Sequence, residues 1–170
     1  MTAFIALLRA VNVGGTGKLP MTELAAMCEA AGFAKVKTYI ASGNVVFESA
    51  ASEAKVKAEL ERRLADYAGK PVGVLVRTAA EMAAVRDANP FPDAPGNRVT
   101  ATFLDAPPPA DAAEHATGVQ GEVIALGLRE IYVRYDDGQA DSKLRIPAAK
   151  AGTARNLNTV AKLAEMAAAL

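Results

Sequence analysis

Three groups of side chains in this sequence could do chemistry: a glycine-rich loop with a lysine, a Ser-Gly-Asn triplet and a basic stripe near the carboxyl terminus. The loop follows an apolar run that ends near Arg9, and it reads Asn12-Val-Gly-Gly-Thr-Gly-Lys18. Glycine permits positive φ and close approach of the backbone. Exposed amides just before a helix can hold an anion. The loop is therefore predicted to be either an anion-binding loop or a plain structural turn.

Neither of the common nucleotide-binding motifs fits this loop. A phosphate loop needs Gly-x-x-x-x-Gly-Lys followed by Ser or Thr, but Asn12 holds the first glycine position and Leu19 the hydroxyl position. The dinucleotide motif needs a third glycine where Pro20 stands. The loop therefore predicts an anion site in general terms, and no cofactor is predicted.

The triplet Ser42-Gly43-Asn44 offers a hydroxyl and an amide that could be ligands, although a hairpin turn explains the same residues. A serine nucleophile needs a base nearby, and the one histidine, His115, falls in a different predicted element. Asp136, Asp137 and Asp141 lack the spacing of a calcium loop and predict a solvated turn. No catalytic residue and no metal site is predicted.

The last predicted helix carries a basic stripe. Arg155, Thr159 and Lys162 recur at helical spacing, and Asn156 stands at the predicted helix start. The start of a helix presents unpaired N–H groups. The stripe therefore predicts either the polar face of an ordinary amphipathic helix or a binding surface.

Composition narrows the class of protein. The 170 residues are 51% apolar, which is enough to build a sizeable core. The chain has 19 basic and 19 acidic side chains, so the basic excess of a general nucleic-acid binder is absent. Aromatic residues make up only 5%, with no Trp, which argues against stacking on successive bases. No apolar run approaches the roughly 20 residues of a membrane span, and no basic leader is visible, so we expect a cytoplasmic protein.

The element order of the first half is β-α-β-β-α-β, followed by one more helix. Strands are predicted near residues 3–11, 36–40, 45–48 and 72–76. Val56, Leu60, Leu64 and Tyr67 form a core stripe on the second helix. This order is that of the ferredoxin-like split β-α-β arrangement, an α+β fold with an antiparallel sheet.

The proline-rich run over residues 89–96 separates this half from a second one. The second half reads β-α-β-β-α-α, with helices predicted from about Lys143 and from about Asn156 to Leu170. The predicted fold is thus two ferredoxin-like halves, residues 1–90 and 97–170, packed into one compact chain, with the second half lacking a clear last strand. The repeat is visible in element order only, and no residue-level repeat is apparent.

Taken together, several segments resemble the bacterial domain-of-unknown-function 1697 family. The resemblance covers nearly the whole chain, and it implies two related ferredoxin-like halves without implying an activity. Leu157 stands where that family usually has Trp. The segments that carry the resemblance are Phe4–Gly15, Lys18–Met21, Gly32-Phe33, Thr38–Phe47 and Arg155–Val160.

These observations predict a non-enzymatic binding module for an anionic ligand: a nucleotide, a phosphorylated small molecule or a nucleic-acid end. The alternatives are an enzyme that acts on a phosphorylated small molecule and a protein-interaction module. We expect the glycine-rich loop to lie near the start of the final helix, so that both face one anion. The predicted ligand-binding residues are Arg9, Asn12, Gly14, Gly15, Lys18, Ser42, Asn44, Arg155, Asn156 and Thr159.

Overall fold

The computed structural model describes residues 1–12, 17–136 and 139–170. These residues divide into two units, one formed by Met1–Met82 with Leu163–Leu170 and the other by Ala83–Lys162. The first boundary falls ahead of the proline-rich run. Among the residues singled out above, Gly14, Gly15 and Asp137 lie outside the described part of the chain.

The first unit follows the predicted β-α-β-β-α-β order. Its four strands form one antiparallel sheet in the order β2-β3-β1-β4. The elements are β1 (Thr2–Leu8), α1 (Met21–Ala30), β2 (Ala34–Tyr39), β3 (Asn44–Ser49), α2 (Glu53–Ala68), β4 (Val74–Thr78) and α3 (Ala79–Asp87), the last of which continues into the second unit.

The core of the first unit lies between the sheet and helices α1 and α2. Alternate residues of β1, beginning with Phe4, point toward these helices because successive side chains of a strand face opposite ways. Phe33 and Phe47 stack at 4.3 Å with an angle of 6° between the rings. The intervening residues of β1, Ile5 and Leu7, are also fully buried. Strand β1 is therefore buried on both faces, as its continuous apolar run predicts.

Most of the core stripe predicted for helix α2 is confirmed, but one of its four residues is not buried. Val56, Leu60 and Leu64 are buried, but Tyr67 is 47% exposed. Tyr67 lies in the last turn, just before Gly69 ends the helix with a φ of 71°. The apolar stripe thus extends one turn beyond the core, and that turn lines a cleft instead.

The second unit contains a second four-stranded antiparallel sheet, in the order β6-β7-β5-β8. In the described part of the chain, the two sheets and four α-helices make an α+β fold with two similar halves. Short 3-10 helices stand at Ala112–His115 and Pro147–Ala149. The elements are β5 (Val99–Phe103), β6 (Val123–Leu126), β7 (Glu130–Arg134), β8 (Thr153–Asn156) and the start of α4 (Leu157–Ala168), whose residues from Leu163 onward belong to the first unit.

Two expectations for this half are wrong. The sheet does have a last strand, β8, whose Thr153 pairs with Phe103 of β5. The sequence of β8 contains one β-branched residue among four, so local propensity does not reveal it and the ladder with β5 supplies the order. The helix expected from Lys143 is reduced to the 3-10 helix at Pro147, because a proline cannot donate the N–H that an α-helix requires.

The last strand of each sheet carries a buried arginine, which is a residue-level repeat that the sequence analysis missed. Arg77 of β4 is 1% exposed and Arg155 of β8 is 7% exposed. Each pairs with the first strand of its own sheet. Each guanidinium donates to the carbonyl of the preceding residue, Val76 or Ala154, at 2.9 Å. The two halves therefore share a buried arginine in the last strand as well as an element order.

Each of these arginines is followed by a residue that caps a helix. Helix α3 begins with a capping box: the Glu81 N–H donates to Thr78 Oγ1 at 3.2 Å, and the Thr78 N–H donates to Glu81 Oε1 at 2.8 Å. In α4 the Thr159 N–H donates to Asn156 Oδ1 at 2.9 Å.

None of the helices in the described ranges is long and apolar enough to cross a bilayer.

Candidate functional site

Arg9 continues the chain beyond the buried strand β1 and lies against the segment that enters β4. Its N–H donates to the Gly73 carbonyl at 2.9 Å. A Cβ at Gly73 would lie 2.9 Å from Arg9 Cδ. The glycine therefore leaves the space that the Arg9 side chain occupies.

Asn12 closes the glycine-rich loop and ties it to the β2–β3 turn. Its Oδ1 accepts the Leu19 N–H at 2.8 Å, and its side-chain amide donates to the carbonyls of Leu19 and Ala41, each at 2.9 Å. The Asn12 N–H also donates to the Gly17 carbonyl at 2.9 Å. Asn12 adopts a φ of 55°, a conformation that asparagine tolerates better than most residues. Its role in the described structure is to hold the loop.

The Ser42-Gly43-Asn44 triplet packs against the residues just before the loop. Gly43 has a φ of 92°, and a Cβ there would lie 2.7 Å from Val11 Cγ2. Asn44 is fully buried and donates to the Tyr39 carbonyl and to Ser42 Oγ, each at 2.9 Å. The structure thus brings the triplet and Asn12 together, with Asn44 organising the turn beneath the exposed Ser42.

A cleft of about 590 Å³ opens between residues 9–11 and 17–19, the end of α2 and the entry to β4. Three cationic side chains line it: Arg9, Lys18 and Lys70. No acidic side chain is found among the described residues of its wall. We call this site, with Tyr67 and Val72 on its apolar side, the basic cleft.

The wall beside β4 is fixed to helix α2. Glu61 Oε2 accepts the Val74 N–H at 3.1 Å and pairs with Lys57 Nζ at 3.1 Å. Lys57 also donates to the Val74 carbonyl. Because both backbone groups of Val74 are held from α2, the preceding Gly73 and the Arg9 side chain that crosses it have a defined place.

The electrostatics of the basic cleft favour a negatively charged ligand. Its three cations come from three different segments of the chain. A recess whose lining carries one sign of charge beside apolar walls focuses its field and raises the local concentration of counter-ions. Interactions between charges also strengthen where apolar walls lower the effective dielectric constant. The arrangement suits a phosphate or a carboxylate.

The chain matches a known protein family over residues 1–132, which is most of its length. That family is described as Protein of unknown function (DUF1697). This chain belongs to the DUF1697 family. The finding confirms the resemblance drawn from the sequence motifs.

One solved structure supports the fold of this DUF1697 chain. It is that of a conserved bacterial protein from Streptococcus pneumoniae, with 23% sequence identity and a TM-score of 0.78. The similarity covers 98% of each chain. A comparison with curated proteins finds no match.

The other predicted site residues of the DUF1697 chain lie in the second unit. Arg155 Nη1 donates to Thr153 Oγ1 at 2.7 Å, and burial lowers the pKa of Arg155 to about 10. Asn156 caps α4, and Thr159 is only 7% exposed. That these residues share a site with the glycine-rich loop stays a prediction.

Lys70 and Tyr67 are the cleft residues that sequence reasoning missed. Lys70 stands just after the helix stop at Gly69, and Tyr67 is the last residue of the apolar stripe on α2. The available signal was an apolar stripe that runs to the end of its helix and is followed directly by a cation. Such a stripe leaves an aromatic ring beside a charge at the border of the core.

Cys28 and His115 are not among the described residues that line the cleft. Cys28 is buried on α1, and burial raises the pKa of its thiol to about 12. His115 Nε2 lies 3.0 Å from Asp111 Oδ2, and both side chains are exposed. In the part of the chain that the structure describes, no cluster of three or more His, Cys, Asp or Glu side chains could hold a metal ion.

Proposed function

We propose that this protein is a binding module for a small anionic molecule, held in the basic cleft. The observation that carries the proposal is the convergence of Arg9, Lys18 and Lys70 on one recess of about 590 Å³. The volume lies within the range of about 300–1,000 Å³ that is usual for small-molecule sites.

The expected affinity follows from the charges. A hydrogen bond to a charged group contributes on the order of 1.5–3 kcal/mol. Two or three such bonds, less the cost of ordering the ligand and the lysine side chains, give an affinity in the millimolar to high-micromolar range. A phosphate monoester fits this chemistry better than a carboxylate, because it offers more acceptor oxygens to three donors.

Binding is favoured over catalysis by the side chains of the cleft. Its described lining offers cations, apolar groups and the Tyr67 hydroxyl, with no carboxylate, imidazole or thiol. A hydrolytic reaction calls for a nucleophile with a base beside it, or for a pair of acid and base groups. The lining therefore supports capture of the anion rather than its chemical conversion.

The test is to remove the two exposed lysines together, as K18A/K70A, and to measure thermal stabilisation by inorganic phosphate. We expect phosphate to stabilise the wild type and the control K55A, whose exposed lysine stands in the first turn of α2 outside the cleft. K18A/K70A should melt at the wild-type temperature without phosphate and gain no stability from it. Equal stabilisation of K18A/K70A and wild type would reject the cleft as the site, and absence of stabilisation in the wild type would reject the proposal.

A further inference from the structure

We propose that the ligand of the basic cleft is a nucleoside monophosphate, with the phosphate among the cations and the base stacked on Tyr67. This inference rests on the proposed function and adds a second half to the site. It starts from the position of the tyrosine ring. Tyr67 continues a stripe whose other members are buried, yet 47% of its own surface is exposed.

The apolar side of the cleft is larger than an anion requires. Tyr67 and the half-buried Val72 line the same recess as Lys18 and Lys70. A bare phosphate would satisfy the cations and leave these apolar groups in water. A ligand with a charged end and a planar apolar end covers both sides, and apolar area removed from water is stabilising at about 25 cal/mol per Å².

Tyr67 suits a planar ring for a further reason. An aromatic side chain loses little conformational freedom when it is covered, and its face stacks well on another π-system. Stacking of a base on an aromatic side chain contributes about 1–3 kcal/mol. Tyr67 sits in the last turn of α2, and Lys70 follows it just beyond the helix end. One end of a helix therefore supplies both a ring platform and a cation.

Calorimetric titration with three probes separates the two halves of the site. The probes are adenosine 5′-monophosphate, ribose 5-phosphate, which lacks the base, and adenosine, which lacks the phosphate. The wild type should bind the monophosphate at least about tenfold more tightly than either of the others. Y67A should reduce the affinity for the monophosphate to that for ribose 5-phosphate and leave the latter unchanged, whereas Y67F should behave as the wild type.

The outcomes distinguish this inference from the function on which it rests. If ribose 5-phosphate and adenosine 5′-monophosphate bind equally and Y67A changes neither, the base does not stack on Tyr67, while the anion site stands. If none of the probes binds more weakly to K18A/K70A than to wild type, the anion site itself is refuted. A uniform loss of affinity for both phosphates in Y67A, together with a lowered melting temperature, would assign Tyr67 a structural role and overturn the stacking proposal.

Discussion

The space left by Gly73 decides where the Arg9 guanidinium can lie, which makes this glycine a test of the basic cleft. In G73A the new Cβ would lie 2.9 Å from Arg9 Cδ and 3.7 Å from Nη1, so the side chain must move. The backbone accepts alanine, since Gly73 is not among the residues with positive φ. We expect phosphate affinity to fall on the order of tenfold, with little change in melting temperature.

A double-mutant cycle controls this experiment. If Gly73 acts through Arg9, adding G73A to R9A should change the affinity for phosphate no further. Additive effects of the two substitutions would contradict the steric explanation, because Gly73 would then affect binding independently of Arg9.

Asn12 combines three side-chain hydrogen bonds with a φ of 55°, and two substitutions separate these contributions. N12G loses the hydrogen bonds but adopts the angle freely, so we expect a loss of about 1–3 kcal/mol in the free energy of unfolding. N12A should lose about 1 kcal/mol more, because alanine is strained at this angle. Urea denaturation measures both losses, and equal stabilities of the two variants would show that the angle carries no strain.

The buried thiol of Cys28 gives the protein a defined alkaline response. Its pKa is raised to about 12 from a reference value of 9.0, chiefly by burial. The unfolded chain therefore loses this proton first, and stability present below pH 9 is lost as the pH rises toward 12. Between pH 9 and 10 this one group should reduce the free energy of unfolding by about 1 kcal/mol.

The matched control is C28A, measured by urea denaturation over the same interval. Its starting stability should be lower, but it should lose about 1 kcal/mol less than the wild type between pH 9 and 10. Tyr132, whose pKa is also raised to about 12 from 10.0, mostly by burial, contributes at higher pH. Parallel pH curves for C28A and wild type would rule out Cys28 as the source of the loss.

At the scale of elements, the junction of β8 and α4 depends on Asn156. This residue ends the strand and accepts the Thr159 N–H at 2.9 Å. N156A should lower the free energy of unfolding by about 1 kcal/mol, while N156D should retain most of the stability because aspartate caps equally well. A loss in N156D as large as that in N156A would mean that capping is not the cause.

Elements with long periodic patterns could be predicted from sequence, and those defined by pairing could not. Strand β1 and helix α2 were recognised because a continuous apolar run and a stripe at helical spacing are local signals. Strand β8 was missed because its four residues form a strand only through the ladder with β5. The helix expected from Lys143 is absent up to Ile146, and Pro147 begins a 3-10 helix of three residues instead. In such segments, pairing with another strand or the missing N–H of a proline decides the structure, and local propensity does not.

The same distinction between local and long-range signals applies to the residues of the candidate site. Arg9 and Lys18 could be predicted because they lie close together in the sequence, at the end of an apolar run and at the end of the loop that follows it. Lys70 and Tyr67 come from the end of α2, far along the chain, and only the fold places them on the same cleft. Distance in sequence is what hid them, since each looks like an ordinary helix-end residue when considered alone.

At the scale of the whole molecule, a locally basic cleft exists in a chain of zero net charge, with 19 basic and 19 acidic side chains. Affinity for long polyanions grows with the number of phosphates that are neutralised at once. We therefore expect no retention on immobilised single-stranded DNA at about 0.15 M salt, in contrast to phosphate-induced stabilisation. Retention that weakens steeply with salt would contradict a small-molecule site and favour a nucleic-acid ligand.

The inaccessibility of Cys28 has a practical consequence for observing the cleft. It is the one cysteine of the chain, and its side chain is fully buried on α1 with a thiol that stays protonated near neutral pH. A thiol-reactive fluorophore should therefore bypass it in the native protein. Ala68→Cys would place a single labelling position in the lining of the cleft without any need to replace the native cysteine. Ligand entry could then be followed as a change in emission from one known place.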